Sequence, residues 1–263
     1  MMTSTILAKV RQILKITVAA AFWIAVWHFA AKFIDKAWVL PTPWRVFQTL
    51  LELAGTENFW ISIRNSVSNV ILGYFYGAIS GLALAVISHF VSPVKTLISP
   101  VLTVMRATPV ASFIMLLWVF VNKEMVPSLI VILIVLPIAY GNLLTGLESV
   151  DKKHLELAKV FDFGFVRKMR YIYMPQTVPY IRSALSTSLG LAWKAGIAAE
   201  VLCDPLNSIG HGIFSSKRDI LTADLFAWTA VVIILCFAFE FVLAKLFKFR
   251  LNSKKEVQKH DKV

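Results

Sequence analysis

The sequence predicts an all-α, polytopic membrane protein with six transmembrane helices. Three observations carry that expectation. The 263 residues are 58% hydrophobic and 16% charged, with a mean hydropathy of +0.72. A soluble domain is nearer half apolar and about a quarter charged. Several apolar runs reach the roughly 18–20 residues that cross a bilayer. The alternating segments of about ten residues that build a membrane β-barrel are missing from the sequence.

The elements follow in order. Residues 1–39 hold a short tail and the first span, over about 13–34. Its apolar run through Trp23 and Trp27 is longer than a signal-peptide core, so it reads as an uncleaved helix. Residues 40–250 form the core. Thr42 is placed to cap a helix with Pro43 at its first position, where the missing N–H costs nothing. Trp44, Phe47, Leu50, Leu51 and Ala54 form a stripe opposite Arg45, Gln48 and Glu52, which predicts an amphipathic helix in the outer interface. The second span covers about 60–90. Gly73, Gly77 and Gly81 repeat every four residues there and predict close packing against another helix.

The third span, over about 94–121, is interrupted by Arg106-Ala-Thr-Pro109. Proline removes a backbone donor and disfavours helix in the residue before it. A break at membrane depth persists where protein or a water-filled cavity surrounds it. The fourth span covers about 126–147 and should kink at Pro137. The fifth, about 178–202, carries Lys194 and Glu200. A loop over 204–223 is rich in Gly, Ser and charge. The sixth span covers about 224–247, and residues 251–263 are a basic tail.

The longest polar break, 151–179, separates the fourth and fifth spans. Leu155, Ala158, Val160 and Phe161 recur near helical spacing, and Ser149 or Asp151 can cap that helix. Asp162, Phe163 and Gly164 break the pattern, with Gly164 suited to a positive φ. A second helix then runs through Tyr171 and Tyr173 to Pro175. Two readings stand beside each other: an ordered helix–turn–helix, or a solvated loop whose cations fix topology.

Net charge is +12. The cations sit at span ends and in the tails, so topology explains them and no nucleic-acid partner is expected. With both termini inside, the inner segments hold Lys9, Arg11, Lys15, Lys95, the cluster from Lys152 to Arg182 and the tail. The outer segments hold Lys36, Arg45, Lys123, Lys217 and Arg218. This places 151–179 in the cytoplasm.

An ionisable side chain within a span is costly and faces a bundle interior or an aqueous cavity. Lys194 therefore either lines a path for anions or makes a structural ion pair or snorkels; its spacing from Glu200 does not suit a direct pair. Glu200 reads as a tie to the following loop or to a partner chain. Arg106, beside Thr108 and Pro109, either contacts a solute or satisfies freed carbonyls. Cys203 and Cys236 are too few for a disulfide framework and form no CxxC spacing. The five histidines are scattered, without HExxH or clustered carboxylates, which argues against a membrane-embedded enzyme. The sequence also lacks a G-x-x-x-x-G-K-[ST] loop, so no ATP hydrolysis is expected of it on that basis; no cofactor and no metal are expected either.

Glu156-Leu157-Ala158 lies with its Glu nineteen positions before Pro175 in Met174-Pro175. This resembles the cytoplasmic EAA loop of ABC transporter permeases, where a Glu-Ala-Ala-like triplet precedes a Leu-Pro by that spacing. The likeness runs from Leu40 almost to Arg250. It includes Leu40-Pro41-x-Pro43, Ser66 with Gly73, Arg106 with Pro109, Trp118, the turn from Glu148 to Asp151, Ala199-Glu200, Gly210 with Gly212, and Thr222-Ala-Asp224. The combination is similar to the nitrate/sulfonate/taurine branch of binding-protein-dependent, MetI-like permeases, a branch that also includes importers of thiamine pyrimidine precursors. The chain departs from the pattern at Leu157, usually alanine, at Asp162, usually glycine, and at Met174, usually leucine.

The resemblance implies a type I ABC importer permease fold in the bacterial inner membrane, with both termini cytoplasmic. It implies three partners: a cytoplasmic ATP-binding cassette ATPase, an external substrate-binding protein and a second permease copy in a homodimer. Residues 152–165, within a coupling region 151–175, would be the helix docked on the ATPase. Leu155, Glu156, Ala158, Phe161, Asp162 and Gly164 would form that contact, and Arg106, Thr108, Lys194 and Glu200 are the candidate path residues. The competing expectation is a stand-alone ion-coupled carrier or channel, which needs coupling charges in several spans.

Overall fold

The computed structural model describes residues 2–260, with side chains from residue 11 to residue 245 apart from 12, 13, 16 and 243. The side chain of Lys9 and those of the basic tail from residue 251 lie outside the described residues. The described chain is built of helices joined by short turns, with no strand among the described residues. The helices are α1 (Met2–Ile34), α2 (Pro43–Ala54), α3 (Glu57–Phe90), α4 (Ser92–Ala107), α5 (Val110–Phe120), α6 (Val126–Glu148), α7 (Lys152–Val160), α8 (Phe165–Lys168), a π-helical segment (Met169–Tyr173), α9 (Met174–Cys203), α10 (Ile209–Arg218) and α11 (Thr222–His260). They divide into two compact units: the chain up to Trp60 with Gly212–Val231, and Ile61–His211 with the chain from Val232.

Four helical segments are long and apolar enough to cross a membrane: Thr17–Ile34, Glu57–Phe90, Val126–Glu148 and Thr222–Val242. The expected break at Arg106–Pro109 is a bend of 108° between α4 and α5, which together make a fifth candidate. Helix α9, at 30 residues, is long enough to span. It is not among those segments because serines and the charges of Arg182, Lys194 and Glu200 dilute its apolar residues.

In the first unit, α2 starts as its sequence dictates. Thr42 Oγ1 accepts from the Arg45 N–H at 3.3 Å, with Pro43 in the first turn. Trp44, Phe47 and Leu51 are exposed, while Val46 and Thr49 are the buried residues of the helix. The expected apolar stripe thus faces outward. Aromatic contacts hold this unit: Trp27 stacks on Phe226 at 5.6 Å and Phe59 meets Trp228 at 5.1 Å. The Trp27 indole N–H donates to Pro41 O at 3.1 Å.

In the second unit α6 is the central element, with buried residues around its whole circumference. The glycine repeat of α3 lies against it. A side-chain carbon on Gly73 would stand 2.8 Å from Val131 Cβ, one on Gly77 2.9 Å from Val135 Cβ, and one on Gly81 2.9 Å from Ala139 Cβ. Small residues at these three turns let the two backbones touch. Tyr74 fastens α3 to α9 by donating to Leu185 O at 2.7 Å.

Three local expectations need correction. Gly164 does not take a positive φ; Asp162 does, at 50°. It ends α7 in a two-bond cap, with the Phe163 N–H on Ala158 O at 2.8 Å and the Asp162 N–H on Lys159 O at 3.1 Å. That pattern calls for a left-handed residue one place beyond the helix, which aspartate tolerates and glycine prefers. The second helix does not stop at Pro175. It continues through the π segment into α9, the Met174 N–H reaching back five residues to Met169 O. The stretch 204–223 is not all loop, because it contains α10. Ser208 nucleates that helix by accepting from the His211 N–H at 3.0 Å.

Candidate functional site

A cavity of about 450 Å³ opens at the α4–α5 bend. Met105, Arg106, Thr108 and Val110 come from the bend; Leu133, Ile134, Pro137 and Ile138 come from α6; Leu191, Lys194, Ala195 and Ala198 come from α9. Two prolines create it. Pro109 separates α4 from α5, and Pro137 has no N–H to offer the Leu133 carbonyl one turn earlier. Thr108 closes α4 by turning its hydroxyl back onto Val104 O at 2.8 Å.

Arg106 satisfies a carbonyl and lines the cavity at once. Its Nη2 donates to Pro137 O at 2.7 Å. The approach needs a glycine one turn further along α6, because a side-chain carbon on Gly141 would stand 2.6 Å from Nη2. One bond leaves most of the five guanidinium N–H donors unused by it. Lys194 lies on the opposite wall, on the exposed side of a helix whose neighbouring residues Trp193 and Ala195 are buried. The charged residues of the lining, Arg106 and Lys194, are both cationic. An apolar cleft of this size with a few convergent polar groups is the usual form of a small-molecule site.

Three of the four candidate path residues, Arg106, Thr108 and Lys194, thus meet at one cavity. Glu200 does not. It is fully buried beyond the cavity, accepting from Ser66 Oγ at 2.6 Å and from the Gly210 N–H at 3.1 Å. Ser66 Oγ in turn accepts from the Ile209 N–H at 2.9 Å. The carboxylate therefore ties α3 and α9 to the first turn of α10. Glu200 Oε1 has no protein hydrogen-bond partner.

Helix α7 is a second candidate surface. Asp151, not Ser149, caps it, accepting from the Lys153 N–H at 2.9 Å. Gln176 of α9 holds the Asp151 N–H at 3.2 Å. Ala158 is buried with Val150 and Ile172, and Leu155 and Phe163 pack on that cluster. Ala158 therefore packs inside the chain. Glu156, Phe161, Asp162 and Gly164 are exposed. So are Val160, which shares the helical spacing, and Leu157, Phe165 and Val166, which are not among the expected contact residues; Val160 is 79% and Phe161 69% exposed. A cluster of large apolar side chains held in the open marks an interaction surface.

The bent span and cation-lined cavity suit one class, a membrane component that conducts solutes. Residues 60–254 match the profile of the binding-protein-dependent transport system inner membrane components. The chain belongs to that family. It is a permease subunit of an ABC importer, a transport component whose ATPase is a separate partner. Among curated relatives, the aliphatic sulfonates transport permease SsuC of Bacillus subtilis (strain 168) is 27% identical over 207 residues, covering 78% of this chain and 74% of that one. The taurine transport system permease TauC of Escherichia coli (strain K12) is 24% identical, covering 84% and 82%. The nitrate import permease NrtB of Leptolyngbya laminosa is 27% identical, covering 61% and 57%. Two solved transporters share the fold. A MetNI methionine ABC transporter, in inward-facing conformations, has a TM-score of 0.60 at 11% identity, covering 72% of this chain and 95% of that one. An amino acid ABC transporter has a TM-score of 0.56 at 19% identity, covering 72% and 92%. Family membership decides against the stand-alone carrier.

Proposed function

We propose that this permease carries a small anion of the sulfonate, taurine, nitrate or bicarbonate kind through the cavity of Arg106, Thr108 and Lys194. The observation that carries the reading is the pairing of two intramembrane cations, without a carboxylate in the same lining, on an otherwise apolar wall. A neutral pyrimidine precursor of thiamine would gain little from that charge. The relatives named for sulfonate, taurine, nitrate and bicarbonate support the same class.

An external binding protein delivers the solute, and a second copy of the permease completes the path as a homodimer. The chain crosses the membrane six times, by α1, α3, the bent α4–α5 pair, α6, α9 and α11, with both termini cytoplasmic. The cation-rich stretch 152–182 supports that orientation. Helix α7 and the turn after it dock on the ATPase through Glu156, Leu157, Val160 and Phe161, and closure of the ATPases swings α7 with α9 as one body.

Reconstitution in proteoliposomes with the partner ATPase and binding protein tests this. ATP-dependent uptake of taurine, ethanesulfonate, nitrate or bicarbonate is expected, and Lys194→Met should abolish most of it. Uptake without ATP, or uptake indifferent to Lys194→Met and Arg106→Met, would sink the reading.

A further inference from the structure

Glu240 is an intramembrane charge outside the lining of the anion path. Glu240 lies within the apolar segment Thr222–Val242, where a carboxylate is costly and needs a partner. Its position is fixed by the packing of α11 on α9. The Trp193 indole N–H donates to Val232 O at 3.0 Å, and the Trp193 ring meets Phe239 at 5.1 Å. With that register, Glu240 Oε1 stands 3.2 Å from where a side-chain carbon on Gly190 would be. The absent side chain at 190 is what lets the carboxylate reach α9.

Gly190 is one turn before Lys194 on the same face of α9. Helical side chains lean toward the N-terminus, so the surface over Gly190 is the patch that the Lys194 stem covers. Four residues of helix rise about 6 Å, within the reach of a lysine side chain. In this conformation Lys194 lines the cavity and is not ion-paired with Glu240.

We propose that Glu240 is the counter-ion of Lys194 when the path is empty, and that the transported anion displaces it. The proposal rests on the reading of the cavity as an anion path. Arg106 keeps Pro137 O as a standing partner. Lys194 has no equivalent carbonyl; turning back over Gly190 gives it a charge to pair with. An arriving anion then competes with Glu240 for the ammonium, and return of Lys194 to Glu240 helps to release the anion on the far side. Glu240 is thus a positioning residue that sets how tightly the path holds its cargo.

The test uses the permease assembled with its ATPase in nanodiscs, with sodium ethanesulfonate and sodium nitrate as probes and choline ethanesulfonate as the cation control. The readout is the anion-dependent rise of the thermal midpoint. If the counter-ion holds Lys194 about nine-tenths of the time, removing it tightens apparent anion affinity about tenfold. Glu240→Gln should show that gain, and Glu240→Asp should behave as the parent. Without added anion, the midpoint losses of Lys194→Met and Glu240→Gln should be non-additive in the double variant. Additive losses, with unchanged anion affinity in Glu240→Gln, overturn the counter-ion and leave the path standing if Lys194→Met still removes the anion response. An anion response that survives Lys194→Met overturns the displacement and the path reading together.

Discussion

Replacing Glu200 by alanine separates a structural tie from a solute contact. The native carboxylate accepts one bond from Ser66 and one from the Gly210 N–H, in a site closed to solvent. Hydrogen bonds to a charged group contribute about 1.5–3 kcal/mol each. Truncation strands the Gly210 N–H and the Ser66 hydroxyl proton and leaves a hole where the side chain was. Against this stands the desolvation that the carboxylate no longer bears. The net expectation is a loss of about 3–5 kcal/mol, weighted by the stranded donors. On the usual scaling that is a midpoint drop of roughly 10 °C for a chain of this size. Glu200→Gln keeps an acceptor oxygen for both donors, so it should lose less than half as much. Thermal unfolding of the purified permease in detergent measures both. Proteolysis of the segment before α10 should quicken in the alanine variant. A Glu200→Ala protein with the parent midpoint but no uptake would refute the tie and return the residue to the path.

Three further outcomes follow from the same geometry. Gly77→Leu drives a side chain into Val135 and the Ile132 backbone, 2.9 and 3.1 Å from the first added carbon; it should cost about 1–3 kcal/mol or more and lower the folded fraction seen by gel filtration. Asp162→Gly relieves the left-handed φ of 50° and should stabilise the end of α7 by roughly 1 kcal/mol, slowing hydrogen exchange at the Asp162 and Phe163 amides. Phe161→Asp removes an exposed ring without touching the Val150, Ala158 and Ile172 cluster, so it should reduce ATPase co-purification while insertion and midpoint stay as in the parent.

What could be read from the residues divides along physical lines. The glycine repeat was legible because a period of four on a helix has one geometric meaning, a close helix partner. The Arg106–Pro109 break was legible because proline forbids a straight ladder. The position of Glu200 was not, because its burial depends on Ser66 and Gly210, residues 134 and 10 places away. That Ala158 packs on Val150 and Ile172 was not legible either, because Ile172 comes from beyond the turn that follows α7. Glu240 carries a signal of its own, an acidic residue within an apolar run. Gly190 and Gly141 gave none, because the meaning of each lies in the side chain that approaches it from another helix.

The π segment between Met169 and Tyr173 bears on how α7 is joined to α9. Its wider ring holds one more residue than an α-helix would use to close the same turn, and Pro175 follows directly. Deleting a single residue from 169–173 would let the ladder close as ordinary helix. The same turn would then be closed by one residue fewer, so the parts on either side would keep nearly the same azimuth about the axis of α9. Phe161 and Val160 would go on facing the direction they face now. The segment therefore works as a shim in a shaft: it takes up one residue while the outer face of α7 stays at a fixed azimuth relative to the wall that carries Lys194.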